Sequence, residues 1–197
     1  MENTDDRTFW NDRYLNKETG WDIGHVSTPL KEYIDQLTNK NIRILIPGCG
    51  NSYEAEYLLK SGFSNITLVD ISAIAVENLK TKFQENKEIN VLNEDFFKHE
   101  GKYDLVLEQT FFCAINPSLR KEYVAKTHDL LARNGKLCGL MFNCDFDKAG
   151  PPFGGNTVAY EKLFEPYFEI LTMEACHNSI APRQGSEVFF IFRKKSA

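Results

Sequence analysis

The stretch Arg43-Ile44-Leu45-Ile46-Pro47-Gly48-Cys49-Gly50-Asn51-Ser52-Tyr53-Glu54-Ala55 constrains this chain more than any other. An apolar run of strand length ends in Gly-Cys-Gly, and helix-forming sequence begins at once. That order predicts a strand, a tight glycine turn and the first turn of a helix. Glycine tolerates positive φ and lets a ligand approach the backbone without meeting a Cβ. The helix beyond starts with unpaired N–H groups. A junction of this kind suits a nucleotide-like ligand. Gly-x-Gly alone is weak evidence, because many strand–helix turns need glycine for geometry.

The rest of the chain supplies a frame for that turn. From Ile42 onward, strand-like and helix-like segments alternate. Strands are expected near 42–47, 65–70, 89–93, 103–108 and 135–142, and helices near 53–61, 72–86 and 118–132. Short loops between them predict a parallel sheet covered on both faces. After Gly150-Pro151-Pro152, a helix over Tyr160–Tyr167 precedes two apolar runs, Phe168–Ala175 and Glu187–Arg193. These suit a hairpin-like pair added to the sheet, making seven strands. The expected fold is α/β and Rossmann-like, one domain over 1–197, with a helical arm (1–40) ahead of the core (41–197). In the arm, Trp10 and Tyr14 stand at i and i+4 on one helix face. Pro29 is placed to open a second helix through Leu37. The aromatic residues of the arm are either core or a lid over a ligand.

Spacing narrows the ligand. Asp70 ends the second strand, twenty-two residues beyond Gly48, where an acid can accept from both ribose hydroxyls. The alternative for Asp70 is a helix N-cap. Asn93-Glu94-Asp95-Phe96-Phe97 follows the third strand. There Asp95 could accept from an adenine amine while a ring packs on the base; the alternative is an acidic turn with two core phenylalanines. Tyr53 stands where a dinucleotide fingerprint needs its third glycine, and no Gly-Lys-Ser/Thr is present. A ligand with ribose and adenine but no phosphate fits best, and S-adenosylmethionine is such a ligand.

Several function classes are disfavoured. The net charge is −5 and no Lys/Arg cluster forms a phosphate-tracking face, so nucleic acid is not the expected partner. No apolar run reaches the ~20 residues of a membrane span. The start, Met1-Glu2-Asn3-Thr4-Asp5-Asp6, is acidic and polar, unlike a secretory signal. Five cysteines without CxxC spacing are expected to be reduced and largely buried, which implies a cytoplasmic protein. No metal site is expected. His25 is a candidate contact for a methionine carboxylate; His99, His128 and His177 read as surface or loop residues.

At this point the chain resembles the S-adenosylmethionine-dependent methyltransferases of the thiopurine S-methyltransferase family, and most of all the thiol/halide methyltransferases. The likeness is carried by Trp21-Asp22-Ile23-Gly24 with Thr28-Pro29-Leu30, Ile46-Pro47-Gly48-Cys49-Gly50, Glu94-Asp95-Phe96-Phe97, Thr110-Phe111-Phe112-Cys113-Ala114-Ile115, Gly150-Pro151-Pro152-Phe153 and Ser179-Ile180-Ala181-Pro182-Arg183. It runs from about residue 9 to 193. The resemblance implies a class I methyltransferase fold, with Trp10, Tyr14 and Trp21 closing over the cofactor. It also implies Gly48 and Gly50 at the glycine turn, Asp70 on the ribose, Asp95 and Phe96 on the adenine, and Gln109 lining the cofactor. Two departures stand out: Tyr14 occupies a position often held by Trp, and Gln109 replaces other residue types. The relatives imply a monomer, with a dimer as the alternative.

The acceptor side follows from strand ends. Phe111 and Phe112 follow the fourth strand, Phe142 ends the fifth, and Asp145, Pro151 and Phe153 come after it. Open α/β sheets bind ligands at such carboxyl ends. Each phenylalanine alone reads as core; together they suggest a small aromatic acceptor pocket. Arg183 either attracts an anionic acceptor or pairs with a surface acid, and the resemblance favours the first. The expected reaction is in-line methyl transfer to a small thiol, thiopurine, halide or pseudohalide, which needs no obligatory base. An O- or N-methyltransferase, for which Asp145 is the base candidate, and a non-catalytic S-adenosylmethionine binder are the alternatives. Cys113 and Cys144 read as buried thiols rather than nucleophiles.

Overall fold

The computed structural model describes residues 6–196, so positions 1–5 of the expected arm and Ala197 lie outside the described residues. Strand β1 (Ile44–Pro47) pairs in parallel with β2 (Ile66–Asp70) and with β4 (Tyr103–Gln109). Strand β2 pairs with β3 (Ile89–Asn93), and β4 with β5 (Leu131–Phe142), again in parallel. The last strand, β7 (Glu187–Lys194), runs antiparallel between β5 and β6 (Phe168–Ala175). The sheet order is therefore β3-β2-β1-β4-β5-β7-β6. This is the expected seven-stranded, mostly parallel sheet with its added antiparallel pair.

Helices cover both faces, so the central strands read as continuous apolar runs. On one face, α2 (Thr28–Asp35) and α3 (Tyr53–Lys60) bury Leu30, Ile34 and Leu58 against Ile44, Ile46, Leu105 and Leu107, and α4 (Ala73–Lys82) adds Leu79. On the other, α5 (Arg120–Leu130) and α6 (Thr157–Phe164) bury Tyr123, Val124, Tyr160 and Phe164 against Leu45, Val106 and Leu137. Each such fully buried side chain contributes about 1.5–3 kcal/mol. The arm helix α1 (Asp6–Leu15) buries no residue fully. Among the described residues, no helix is long and apolar enough to cross a membrane.

Some boundaries differ from the expected ones for local reasons. Helix α6 starts three residues early because the Asn156 side chain accepts from Ala159 N–H and caps it. Strand β5 starts at Leu131, since its pairing jumps from Tyr103↔Leu131 to Leu105↔Lys136. The intervening residues bulge out, with Asn134 at φ +61°.

The carboxylate of Glu108 enters this core. Glu108, on the face of β4 shared with Val106, has no exposed surface. Its Oε1 accepts from Phe111 N–H at 2.7 Å and from Phe112 N–H at 2.6 Å. Its buried Oε2 has no hydrogen-bond partner among the described residues. Burial pushes the carboxyl from 4.5 up to about 7; Glu187 pushes the same way, while the two N–H bonds and Arg183 oppose. A folded-state value above the unfolded one favours the neutral form. The stability it carries is present below about pH 4.5 and is lost as pH rises through about 7. Denaturant unfolding between pH 5 and pH 8 should therefore show a loss of roughly 2 kcal/mol from this group. Glu108→Gln should remove that part of the slope. Identical slopes in the two proteins would contradict it.

Candidate active site

The glycine turn is built by alternating left-handed residues: Gly48 at φ +55°, Gly50 at φ +51° and Ser52 at φ +48°. Asp70, at the end of the neighbouring strand, secures it. Its Oδ2 accepts from Gly50 N–H at 2.9 Å and its Oδ1 from Ser72 N–H at 2.8 Å. Burial pushes this carboxyl above its ordinary value, and the Gly50, Ser72 and Ile71 N–H groups oppose that rise. The cap of α4 is Ser72, whose hydroxyl accepts from Ala75 N–H. Asp70 is thus free of the capping role that the sequence left open.

Two cavities meet at this turn. The larger, about 470 Å³, is lined among others by Trp10, Tyr14, Trp21, Asp70, Asp95 and Phe96. The smaller, about 60 Å³, is lined among others by Asp22, His25, Gly50, Ser52, Glu54 and Gln109. Trp21, Gly48 and Thr110 line both, so Gly48 stands at the seam. A Cβ on Gly48 would come within 2.2 Å of the Phe111 ring, and one on Gly50 within 2.8 Å of the Tyr14 hydroxyl. A side chain at either place would have to adopt a left-handed backbone and displace the Phe111 ring or the Tyr14 hydroxyl.

The arm closes over the larger cavity. The Trp21 ring meets Trp10 edge-on at 5.4 Å and Tyr14 at 5.9 Å. Asn11 of α1 anchors it, accepting from the Ser72 hydroxyl at 2.8 Å. Asp22 anchors the following segment, accepting from Gly24 N–H at 2.8 Å, Tyr53 OH at 3.2 Å and the Asn51 amide. Burial beside Asp70 raises the Tyr14 phenol well above its ordinary value.

Within the large cavity, Asp95 accepts from Phe97 N–H at 3.0 Å through Oδ1. Phe96 is nearly buried and meets Phe111 edge-on at 5.2 Å. Gln109 lines only the small cavity, where it accepts from the Ser27 hydroxyl at 3.2 Å. Two further groups there escaped sequence reasoning. Glu54, almost buried, accepts from Ser27 N–H at 3.3 Å, and its carboxyl is raised by burial. The buried Ser52 hydroxyl makes no cap bond to α3 and has no partner among the described residues. The Glu54 position directly after Tyr53 was legible as polar; its inward aim was not.

The expected acceptor residues divide. Phe111 lines the large cavity. Phe112 instead points into the core between Tyr123 and Tyr160, with the Arg120 guanidinium 4.7 Å over its ring. Phe142 lies 5.7 Å below the Arg183 guanidinium and meets Phe146 edge-on at 4.9 Å. Asp145 is exposed. Phe153 is half-buried, and its N–H donates to Cys113 C=O at 2.6 Å while Arg120 binds its carbonyl at 3.2 Å. Arg183 is engaged twice: Nη2 donates to the Trp21 carbonyl at 2.8 Å, and Nη1 reaches Glu187 at 3.5 Å. Its partner is a buried acid rather than a surface one, since Glu187 is 4% exposed.

One expectation is corrected. His99 is buried, not a surface residue: its ring bridges Glu94 at 2.8 Å and Tyr103 OH at 2.8 Å. A buried polar ring needs partners on both nitrogens, and Glu94, on the cavity wall, supplies one.

Comparison with known proteins fits this geometry. Residues 5–195 match the model of the thiopurine S-methyltransferase family. A probable thiol methyltransferase 2 of Arabidopsis thaliana is 32% identical over 193 residues, covering 95% of this chain and 85% of that protein. Thiocyanate methyltransferase 1 of Brassica oleracea is 28% identical, covering 90% and 81%. Among solved structures, the Burkholderia thailandensis 1,6-didemethyltoxoflavin-N1-methyltransferase superposes with a TM-score of 0.78 at 16% identity. That likeness covers 96% of this chain and 87% of the other, and it speaks to the fold. The chain belongs to the thiopurine S-methyltransferase family of S-adenosylmethionine-dependent methyltransferases.

Proposed function

We propose that this chain transfers the methyl group of S-adenosylmethionine to a small sulfur nucleophile, an organic thiol or thiocyanate, by in-line displacement. The observation that carries the reading is the pair of cavities joined at Gly48, one lined by the buried carboxylate of Asp70 and one by the buried Ser52 hydroxyl, which has no partner among the described residues. The residues present fit the cofactor. Asp70 keeps lone pairs for ribose hydroxyls, and Asp95 with Phe96 suits an adenine. Trp10, Tyr14 and Trp21 exclude water above it.

The small cavity suits the amino-acid end. Pro47 precedes the glycines where an acid could otherwise meet an ammonium group. Glu54 supplies a carboxylate in the small cavity, and the Ser52 hydroxyl there is free to donate to a carboxylate. When bound, the cofactor supplies an electrophilic sulfonium methyl. The protein's own task is positioning: holding reacting atoms about 3–3.5 Å apart in a dry site can supply several kcal/mol. Phe111, on the wall of the larger cavity, offers apolar surface to the acceptor. Three buried carboxylates (Glu54, Glu108 and Glu187) lie near the partly buried guanidinium of Arg183. That balance supports a thiol over a free halide. Five unpaired cysteines suit a reducing, cytoplasmic setting.

Calorimetry should detect S-adenosylhomocysteine binding, and headspace analysis should detect a methyl thioether from a supplied thiol. Binding without any methylated product would refute the enzymatic reading. Asp70→Ala should weaken S-adenosylhomocysteine by roughly 1.5–3 kcal/mol, about ten- to one-hundred-fold. Glu54→Gln should weaken S-adenosylhomocysteine while leaving 5′-methylthioadenosine, which lacks the amino-acid end, unchanged. Equal losses for both ligands would contradict the ammonium contact.

A further inference from the structure

The turn after β4 is strained and held from below. Thr110 has φ +61°, a left-handed conformation that β-branched residues rarely adopt and that persists only where neighbours enforce it. Three sets of contacts enforce it here. The Thr110 hydroxyl donates to Gln109 C=O at 2.7 Å. Cys113 Sγ donates to Thr110 C=O at 3.3 Å. Glu108 Oε1 collects both following N–H groups, from Phe111 and Phe112. The last set sends Phe111 one way and Phe112 the other. The Phe111 ring takes the space beside Gly48 that a Cβ would need, at the seam of the two cavities, while Phe112 fills the core.

We propose that Glu108 is a positioning residue for methyl transfer: its buried carboxylate holds the Thr110–Phe112 turn and so fixes the Phe111 ring against Gly48, where cofactor and acceptor meet. The role rests on the proposed reaction, whereas the turn contacts exist without it. Charge on the carboxylate strengthens both N–H bonds. The bonds therefore tighten when Glu108 ionises, close to neutral pH. Glu187 on β7 and Arg183 on the turn before it face this group from one side. Cys113 faces it from the same loop, Tyr123 from α5 and Tyr160 from α6. Burial raises all three of these hydroxyl and thiol groups, Tyr160 to about 12, so none titrates with Glu108 between pH 6 and 8. Glu187, also raised by burial, is the one neighbour that needs separating.

The test follows the amides of Phe111 and Phe112 by NMR in the S-adenosylhomocysteine complex from pH 5.5 to 8.5. Both should titrate together with a midpoint near 7. Glu108→Gln, which keeps the shape and loses the charge, should abolish the titration. Glu187→Gln should keep it and lower the midpoint, because a like charge is removed; this variant keeps the test decisive if Glu108→Gln does not fold. Silent amides, or a titration that survives Glu108→Gln, would overturn the proposal. Methyl transfer to thiocyanate, whose charge is constant in this range, gives the second readout. Wild-type kcat should rise about ten- to one-hundred-fold through the same midpoint with KM for the cofactor steady, and be pH-independent in Glu108→Gln. A flat wild-type kcat would overturn the positioning role. Failure of the proposed reaction is visible separately, as no methyl thiocyanate from the wild type at any pH.

Discussion

The hydrogen bond from Gly50 N–H to the Asp70 carboxylate is the contact on which the site depends. The parallel register pairs Pro47 with Val69, which brings the glycine turn level with Asp70. Glycines have no side chains with which to hold their own left-handed backbone, so the neighbouring strand must do it. The second oxygen of the same carboxylate receives Ser72 N–H at the start of α4. Ser72 in turn caps α4 and binds Asn11, which seats the arm helix. One buried charge, stabilised by backbone donors rather than by a counter-ion, thus connects the turn, the helix and the lid. This explains why its burial is tolerated.

Much of this was legible in the sequence, because it follows from period and punctuation. Alternating apolar runs located the strands, the Gly-Cys-Gly turn located the crevice, and Asp70 fell at the end of β2 by spacing alone. Trp10 and Tyr14 share a helix face, and that face does meet Trp21. What the sequence left open was which of two roles a residue takes when both suit its type. Asp70 and Ser72 both suit a cap; only the geometry gives the cap to Ser72.

Direction within a turn was not legible. Phe111 and Phe112 are chemically identical neighbours, yet one lines a cavity and the other packs under Arg120. What separates them is the position of Glu108, three and four residues earlier and invisible as a turn-holder until the chain folds back. A charged residue ending the apolar run Leu105-Val106-Leu107 was the available signal. Strand alternation places it beside Val106, on a face that other helices bury. His99 escaped for the same reason: Glu94 and Tyr103, its partners on either side, are close in sequence but become adjacent only around the turn.

The acceptor side carries an electrostatic constraint that unites these groups. A cationic donor is attracted by carboxylates, but methyl transfer to an anionic nucleophile removes that positive charge. Carboxylates that hold the donor strongly would therefore favour the ground state over the transition state, which slows the chemical step. Burial limits the problem by raising Glu54 and Glu187 above their ordinary values, while the charge that Glu108 gains near neutral pH is taken up by the Phe111 and Phe112 N–H groups. Arg183 balances what charge remains while its second nitrogen holds the Trp21 carbonyl. The same guanidinium therefore compensates the acids and fastens the lid. A site with more free cations would bind anions better, but it would leave the arm without this link to the acceptor side.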